Sequence, residues 1–136
     1  MITSLNHITL AVADLDTSFA FYVETLGFRP RAKWARGAYL SVEGLWLCLT
    51  LDRHCRQGPL PEYTHIAFTV EAAQFAAHAA ALAARGVTPW QRNSSEGDSL
   101  YFLDPDGHKL EIHVGSLESR LASLRREPYE GLTLFE

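Results

Sequence analysis

The chain has only two cysteines, Cys48 and Cys55, one inside a predicted strand and one in the polar loop after it. That leaves no disulfide framework, and both are expected to be reduced thiols. There is no excess of positive charge either: a formal net charge of −4 gives no long-range attraction for nucleic acid or an anionic membrane, so an anionic ligand must rely on a few local cations. No apolar run approaches the roughly twenty residues that span a bilayer, and no basic start precedes one. Neither an anchor nor a signal peptide is read, and a cytoplasmic location is expected. The low hydrophobic content of a disordered chain is missing as well, since 136 residues with 47% hydrophobic and 21% charged suit one compact domain with a real core.

What the sequence does contain is an internal repeat. Asn6-His7-Ile8-Thr9-Leu10-Ala11-Val12 is echoed by Thr64-His65-Ile66-Ala67-Phe68-Thr69-Val70. Each copy opens on an alternating strand and continues into a helix, residues 17–26 stopped by Gly27 and residues 72–85 stopped by Gly86. Short strands follow, at residues 38–42 and 45–50 in the first copy and 99–103 and 109–114 in the second. The order is βαβββ, twice, an α+β pattern. Module one is expected over residues 1–56 and module two over 63–115. A linker rich in glycine and proline spans residues 57–62, and a C-terminal helix (residues 117–126) and tail occupy 116–136. Asp104-Pro105-Asp106-Gly107 reads as a tight hairpin turn.

Period-two alternation sorts side chains by face. Ile8, Leu10 and Val12 point toward the first helix, leaving His7, Thr9 and Ala11 opposite. Ile66, Phe68 and Val70 repeat this, with His65, Ala67 and Thr69 opposite, and in the last strand Lys109, Glu111 and His113 oppose Leu110, Ile112 and Val114. Glu111 therefore shares the histidine face. Cys48 and Glu111 each stand four residues past a turn glycine, Gly44 and Gly107, so one pseudo-symmetric slot holds a thiol and the other a carboxylate. His7, His65 and Glu111 form a three-ligand set with coordination positions left open, as catalysis requires. A single such histidine is more often a packing residue; the same phase in both repeats, with an acid on a matching face, favours a metal. His54, His78, His108 and His113 lack that support and are assigned to the surface or to packing. Mixed imidazole and carboxylate donors do not choose among Mn(II), Fe(II), Zn(II), Ni(II) and Co(II).

Paired βαβββ modules with a histidine on each opening strand and a glutamate on the closing one resemble the vicinal oxygen chelate (glyoxalase/bleomycin resistance/dioxygenase) superfamily. Within it, nearly the whole chain is similar to the manganese-dependent fosfomycin-resistance glutathione transferases. The segments that carry this include Leu5-Asn6-His7-Ile8-Thr9, Gly37-Ala38-Tyr39-Leu40, Leu45-Trp46-Leu47-Cys48-Leu49, Tyr63-Thr64-His65, Ser95-Glu96-Gly97, Tyr101 through Glu111, and Pro128-Tyr129.

The resemblance implies a domain-swapped homodimer in which the two modules meeting at each metal come from different subunits. It implies Mn(II) on His7, His65 and Glu111, and glutathione as the thiol that opens the epoxide of fosfomycin or a related phosphonate. Thr9, Ser95, Tyr101 and Arg120 match residues that hold the phosphonate and the substrate oxygen. Tyr39 matches the tyrosine at the glutathione thiol, and Trp46 and Cys48 line the same cavity. Asn93, Ser95, Glu96, Gly97 and Ser99 match a potassium loop, with K+ as activator. Where such proteins usually carry cations, this chain has Gln91 and Ser94, which leaves Arg120 and the neighbouring Arg92 as the local positive charges. The same ligand set would also serve an extradiol dioxygenase using Fe(II), or a glyoxalase-like isomerase if Cys48 became a ligand. A metal-free drug-binding protein of the bleomycin-resistance type would share the fold without the ligands.

Overall fold

The computed structural model describes residues 1–135. Its elements run β1 (Ile8–Val12), α1 (Leu15–Ala20), β2 (Arg29–Trp34), β3 (Gly37–Val42), β4 (Leu45–Leu51), β5 (Ile66–Thr69), α2 (Phe75–Ala84), β6 (Pro89–Gln91), β7 (Ser99–Leu103), β8 (Lys109–His113) and α3 (Leu117–Arg126). They build two four-stranded sheets of identical topology, β1-β4-β3-β2 and β5-β8-β7-β6. In each, the opening strand lies parallel to the closing one, β1 on β4 and β5 on β8, and the remaining pairs are antiparallel. Two copies of a mixed sheet with a helix after the first strand are the α+β arrangement that the repeat implies.

Helix bounds differ from the sequence expectation for local reasons. The first helix starts at Leu15, two residues early, because the Asp14 carboxylate accepts from the Thr17 backbone N–H and caps it. Its last turn widens into a π-helical stretch, Phe21–Thr25, which lets Tyr22 and Phe28 both point into the core. The second helix is preceded by a 3₁₀ turn, Ala72–Gln74. β2 and β6 carry no signature in the sequence: every residue of β2 is exposed, so no apolar alternation marks it, and β6 is only three residues long. His7 and His65 each stand one residue ahead of their strands rather than within them.

The apolar faces meet in one core. Leu10, Val12, Leu40, Leu47 and Leu49 from the first sheet join Leu15, Tyr22 and Phe28, then Leu82, Phe102, Leu110 and Ile112 of the second module. Phe28 packs edge-on against Phe68 at 5.5 Å between ring centroids. A buried polar clasp adds direction to this contact. The hairpin between β7 and β8 reaches into the first module: Asp106 accepts from the Ala13 N–H (3.0 Å) and the Ser18 hydroxyl (3.3 Å), Asp104 from the Tyr22 hydroxyl (2.7 Å), and His108 Nε2 lies 2.8 Å from the Ala11 carbonyl. His108 is thus a packing histidine. Among the described residues no helix is long and apolar enough to cross a membrane.

Candidate metal centre

Strand register sets two matching rows of side chains on the faces turned away from the helices. In the second sheet Ala67, Glu111, Tyr101 and Gln91 stand side by side across β5, β8, β7 and β6. In the first, Thr9, Cys48, Tyr39 and Ala32 do the same across β1, β4, β3 and β2. The rows superpose by repeat, so Cys48 is the counterpart of Glu111 and Tyr39 that of Tyr101.

Around Glu111 the geometry is close. Glu111 is 5% exposed. Its Oε1 lies 3.0 Å from His65 Nε2, and its Oε2 accepts from the Ser99 hydroxyl at 2.6 Å. Ser99 Oγ is also 2.6 Å from His113 Nδ1. His65 is walled by aromatic rings, Tyr63 at 5.2 Å, Trp90 at 5.4 Å and Tyr101 at 6.0 Å, and Trp90 is itself tied by its indole N–H to the Leu110 carbonyl. His113, expected at the surface or in packing although alternation puts it on the Glu111 face, lies beside the carboxylate; Tyr63 is marked in the sequence only as part of the Tyr63-Thr64-His65 segment, and nothing local marks Trp90.

The residues fit a divalent cation. An imidazole nitrogen and a carboxylate oxygen that share one proton at 3.0 Å are at the spacing of neighbouring ligands whose bonds to a metal are about 2.1 Å, so a cation can take the place of that proton. His7 is not brought to them within one chain. It is exposed, with Nδ1 2.6 Å from its neighbour Asn6 and its ring 4.6 Å from Trp46. From there an exposed aromatic row continues across the first sheet, Trp46 to Tyr39 at 5.2 Å and Tyr39 to Trp34 at 4.8 Å.

Among the described residues the one trio of ligand-type side chains gathered within 4.8 Å is Cys55, Asp106 and His108. It is the clasp. Each member already has a partner, Cys55 Sγ donating to the Ala11 carbonyl at 3.2 Å, and burial with the nearby Asp106 carboxylate pushes the Cys55 thiol up to about 11, away from the thiolate that binds metals.

The loop after β6 borders the second sheet. Asn93 closes it, donating to the Gly97 carbonyl (2.7 Å) and accepting from Ser95. α3, capped reciprocally by Ser116 and Ser119, carries Arg120 back to this loop, where its guanidinium meets the Glu96 carboxylate (3.3 Å) and the Ser95 hydroxyl (3.3 Å). Arg92 and Ser94 are exposed, and the Gln91 amide donates to the Tyr63 hydroxyl at 2.8 Å. Thr9 is exposed on the first sheet's open face. His54 and His78 are exposed on the surface.

Comparison with known proteins agrees with this architecture. The family model described as Glyoxalase/Bleomycin resistance protein/Dioxygenase superfamily matches residues 4–112. Glutathione transferase FosA of Serratia marcescens is 52% identical over 134 residues, which cover 97% of this chain and 95% of that protein. Metallothiol transferase FosB of Lysinibacillus sphaericus is 37% identical, covering 93% of this chain and 92% of that one. A variant of the fosfomycin resistance protein FosX of Listeria monocytogenes, solved with Mn(II) and 1S,2S-dihydroxypropylphosphonic acid, aligns with a TM-score of 0.77 at 30% identity, covering 90% of this chain and 99% of that one. A family match along most of the chain and a relative more than half identical over nearly its full length show that the chain belongs to the Glyoxalase/Bleomycin resistance protein/Dioxygenase superfamily, among its fosfomycin-resistance proteins.

Proposed function

We propose that the chain is a metal-dependent transferase that opens the epoxide of fosfomycin, or of a closely related phosphonate, with the thiol of glutathione, and so confers resistance. The observation that carries this reading is the convergence of His65 Nε2 and Glu111 Oε1 at 3.0 Å on the sheet face turned away from the helices, in a chain 52% identical to a protein named glutathione transferase FosA. His65 and Glu111 of one subunit, with His7 of a second, would hold one divalent cation, Mn(II) in this reading. Two features support a domain-swapped homodimer: β1 and β5 are edge strands lying directly after His7 and His65, and the aromatic row from Trp46 to Trp34 is uncovered in a single chain.

When bound, the cation would supply Lewis acidity to the ring opening. The remaining work belongs to side chains. A thiolate sulfur forms a bond to an epoxide carbon as that carbon's bond to oxygen breaks, and the freed oxygen ends as a hydroxyl. Thr9, beside Cys48 in the first row, hydrogen-bonds that oxygen in this reading as charge develops on it. Tyr39, in the same row, stabilises the thiolate, since a free thiol is only a few per cent ionised at neutral pH. Arg120, Ser95 and Tyr101 hold the phosphonate, with Arg92 supplying charge that Gln91 and Ser94 do not. The loop of Asn93, Ser95, Glu96, Gly97 and Ser99 offers carbonyls and hydroxyls suited to K+.

The deciding experiment incubates the purified protein with fosfomycin, glutathione and Mn(II), with and without K+, and reads the product by mass spectrometry. A glutathione adduct formed in a metal-dependent way supports the transferase. A product heavier than fosfomycin by one water makes it a hydrolase, and neither product with metal bound moves the function to another substrate.

A further inference from the structure

Glu111 has two oxygens with different surroundings, and the difference is built by the side chains packed against each. Oε1 faces His65; Oε2 faces Ser99. An ionised carboxylate only accepts, so the Ser99 hydroxyl proton must point to Oε2. Ser99 Oγ then has only acceptor capacity left for His113 Nδ1, 2.6 Å away, which fixes the His113 tautomer with its proton on Nδ1. The result is one directed chain, His113 to Ser99 to Glu111, across the paired strands β7 and β8, where Ser99 and His113 are direct register partners.

The fold also reserves space for the His113 ring. A Cβ on Gly97 would stand 2.9 Å from His113 Cε1 and 2.1 Å from the Val114 carbonyl, and a Cβ on Gly115 would stand 2.8 Å from His113 Nε2. Both glycines sit at positive φ, 82° and 147°. The His113 backbone is pinned on both sides, its carbonyl accepting from the Val70 N–H and its neighbour Val114 donating to the Asp98 carbonyl. Ring, hydroxyl and carboxylate are therefore locked in one arrangement.

We propose that His113, acting through Ser99, is a positioning residue for the metal carboxylate: it occupies Oε2 so that Glu111 presents Oε1 alone, as a one-oxygen ligand, next to His65. This rests on the metal reading above. Outer hydrogen-bond partners of metal ligands commonly set affinity by roughly ten- to a hundred-fold. Asparagine places an amide N–H where His113 Nδ1–H now sits, so His113→Asn keeps the donor while His113→Phe keeps only the bulk.

The test is Mn(II) titration of the intact protein followed by electron paramagnetic resonance, in potassium-free buffer so that occupancy of the neighbouring loop does not enter. Expected is Mn(II) affinity weaker by about ten-fold or more in His113→Phe and in the near-isosteric Ser99→Ala, with His113→Asn within a few-fold of the parent. Unchanged affinity in folded His113→Phe and Ser99→Ala overturns the assignment. Equal loss in His113→Phe and His113→Asn overturns it in favour of ring packing. Loss of a coordinated nitrogen signal in His113→Phe overturns it by making His113 a ligand. If the parent protein binds no Mn(II), this inference and the metal reading fall together, whereas binding by the parent with insensitive variants removes this inference alone.

Discussion

A buried carboxylate such as Glu111 is tolerated because both oxygens have partners, and removing it leaves His65 and Ser99 without their common acceptor. Glu111→Ala should lose metal at the expected stoichiometry and abolish turnover, measured by elemental analysis beside the adduct assay; full activity with stoichiometric metal would mean that another residue is the ligand. Arg120 is half engaged with Glu96 and Ser95 before any substrate arrives, so its value lies in a charge held in place. Arg120→Ala should lower kcat/KM for fosfomycin by about ten- to a hundred-fold, the loss typical of a charge-assisted hydrogen bond. Cys55 should react slowly with a disulfide reagent at pH 8. With its thiol pushed up to about 11, the thiolate fraction is smaller than that of a free thiol by on the order of a hundred-fold, read as the modification rate in Cys48→Ser protein.

At the scale of elements, the hairpin joining β7 and β8 is both the turn that aims Glu111 and the clasp on the first module. Burial pushes the Asp104 carboxyl above its ordinary value of 3.8, against the opposing pull of the Tyr22 hydroxyl and His108. The folded state therefore holds this proton to higher pH than the unfolded chain does. Its contribution to stability is full below 3.8 and is lost as pH rises through the folded value, so Asp104→Asn should flatten the fall in unfolding free energy over the mildly acidic range, measured by denaturant titration at a series of pH values. The legibility of the elements followed their burial. β1, β3, β4, β7 and β8 alternate because one face of each meets the core, and their side-chain faces could be read from residue order alone. β2, exposed along its length, and the three-residue β6 have no such imprint. The π-helical turn at Phe21–Thr25 answers to packing around Tyr22 and Phe28, which local propensity does not encode.

At the scale of the whole molecule, the residues proposed as ligands are divided between the sheets: Glu111 and His65 gather in the second, and His7 lies exposed beside Trp46 in the first. If two subunits complete each site, His7→Ala and Glu111→Ala proteins, each inactive alone, should complement when mixed and reassembled. A heterodimer then has one intact and one doubly altered site, and statistical exchange restores about a quarter of the parent activity. No recovery after verified subunit exchange would mean that the ligands come from a single chain. The repeat, the phase of His7 and His65, the face shared by Glu111 and the equivalence of Cys48 with Glu111 were determined by the sequence, because strand periodicity converts residue order into facing. Which oxygen of Glu111 faces His65, the Ser99 and His113 chain behind it, the aromatic wall of Tyr63 and Trp90, and the clasp from Asp104 to His108 were decided only by the tertiary structure. Those contacts join residues on different strands and in different modules, where distance along the chain says nothing about distance in space.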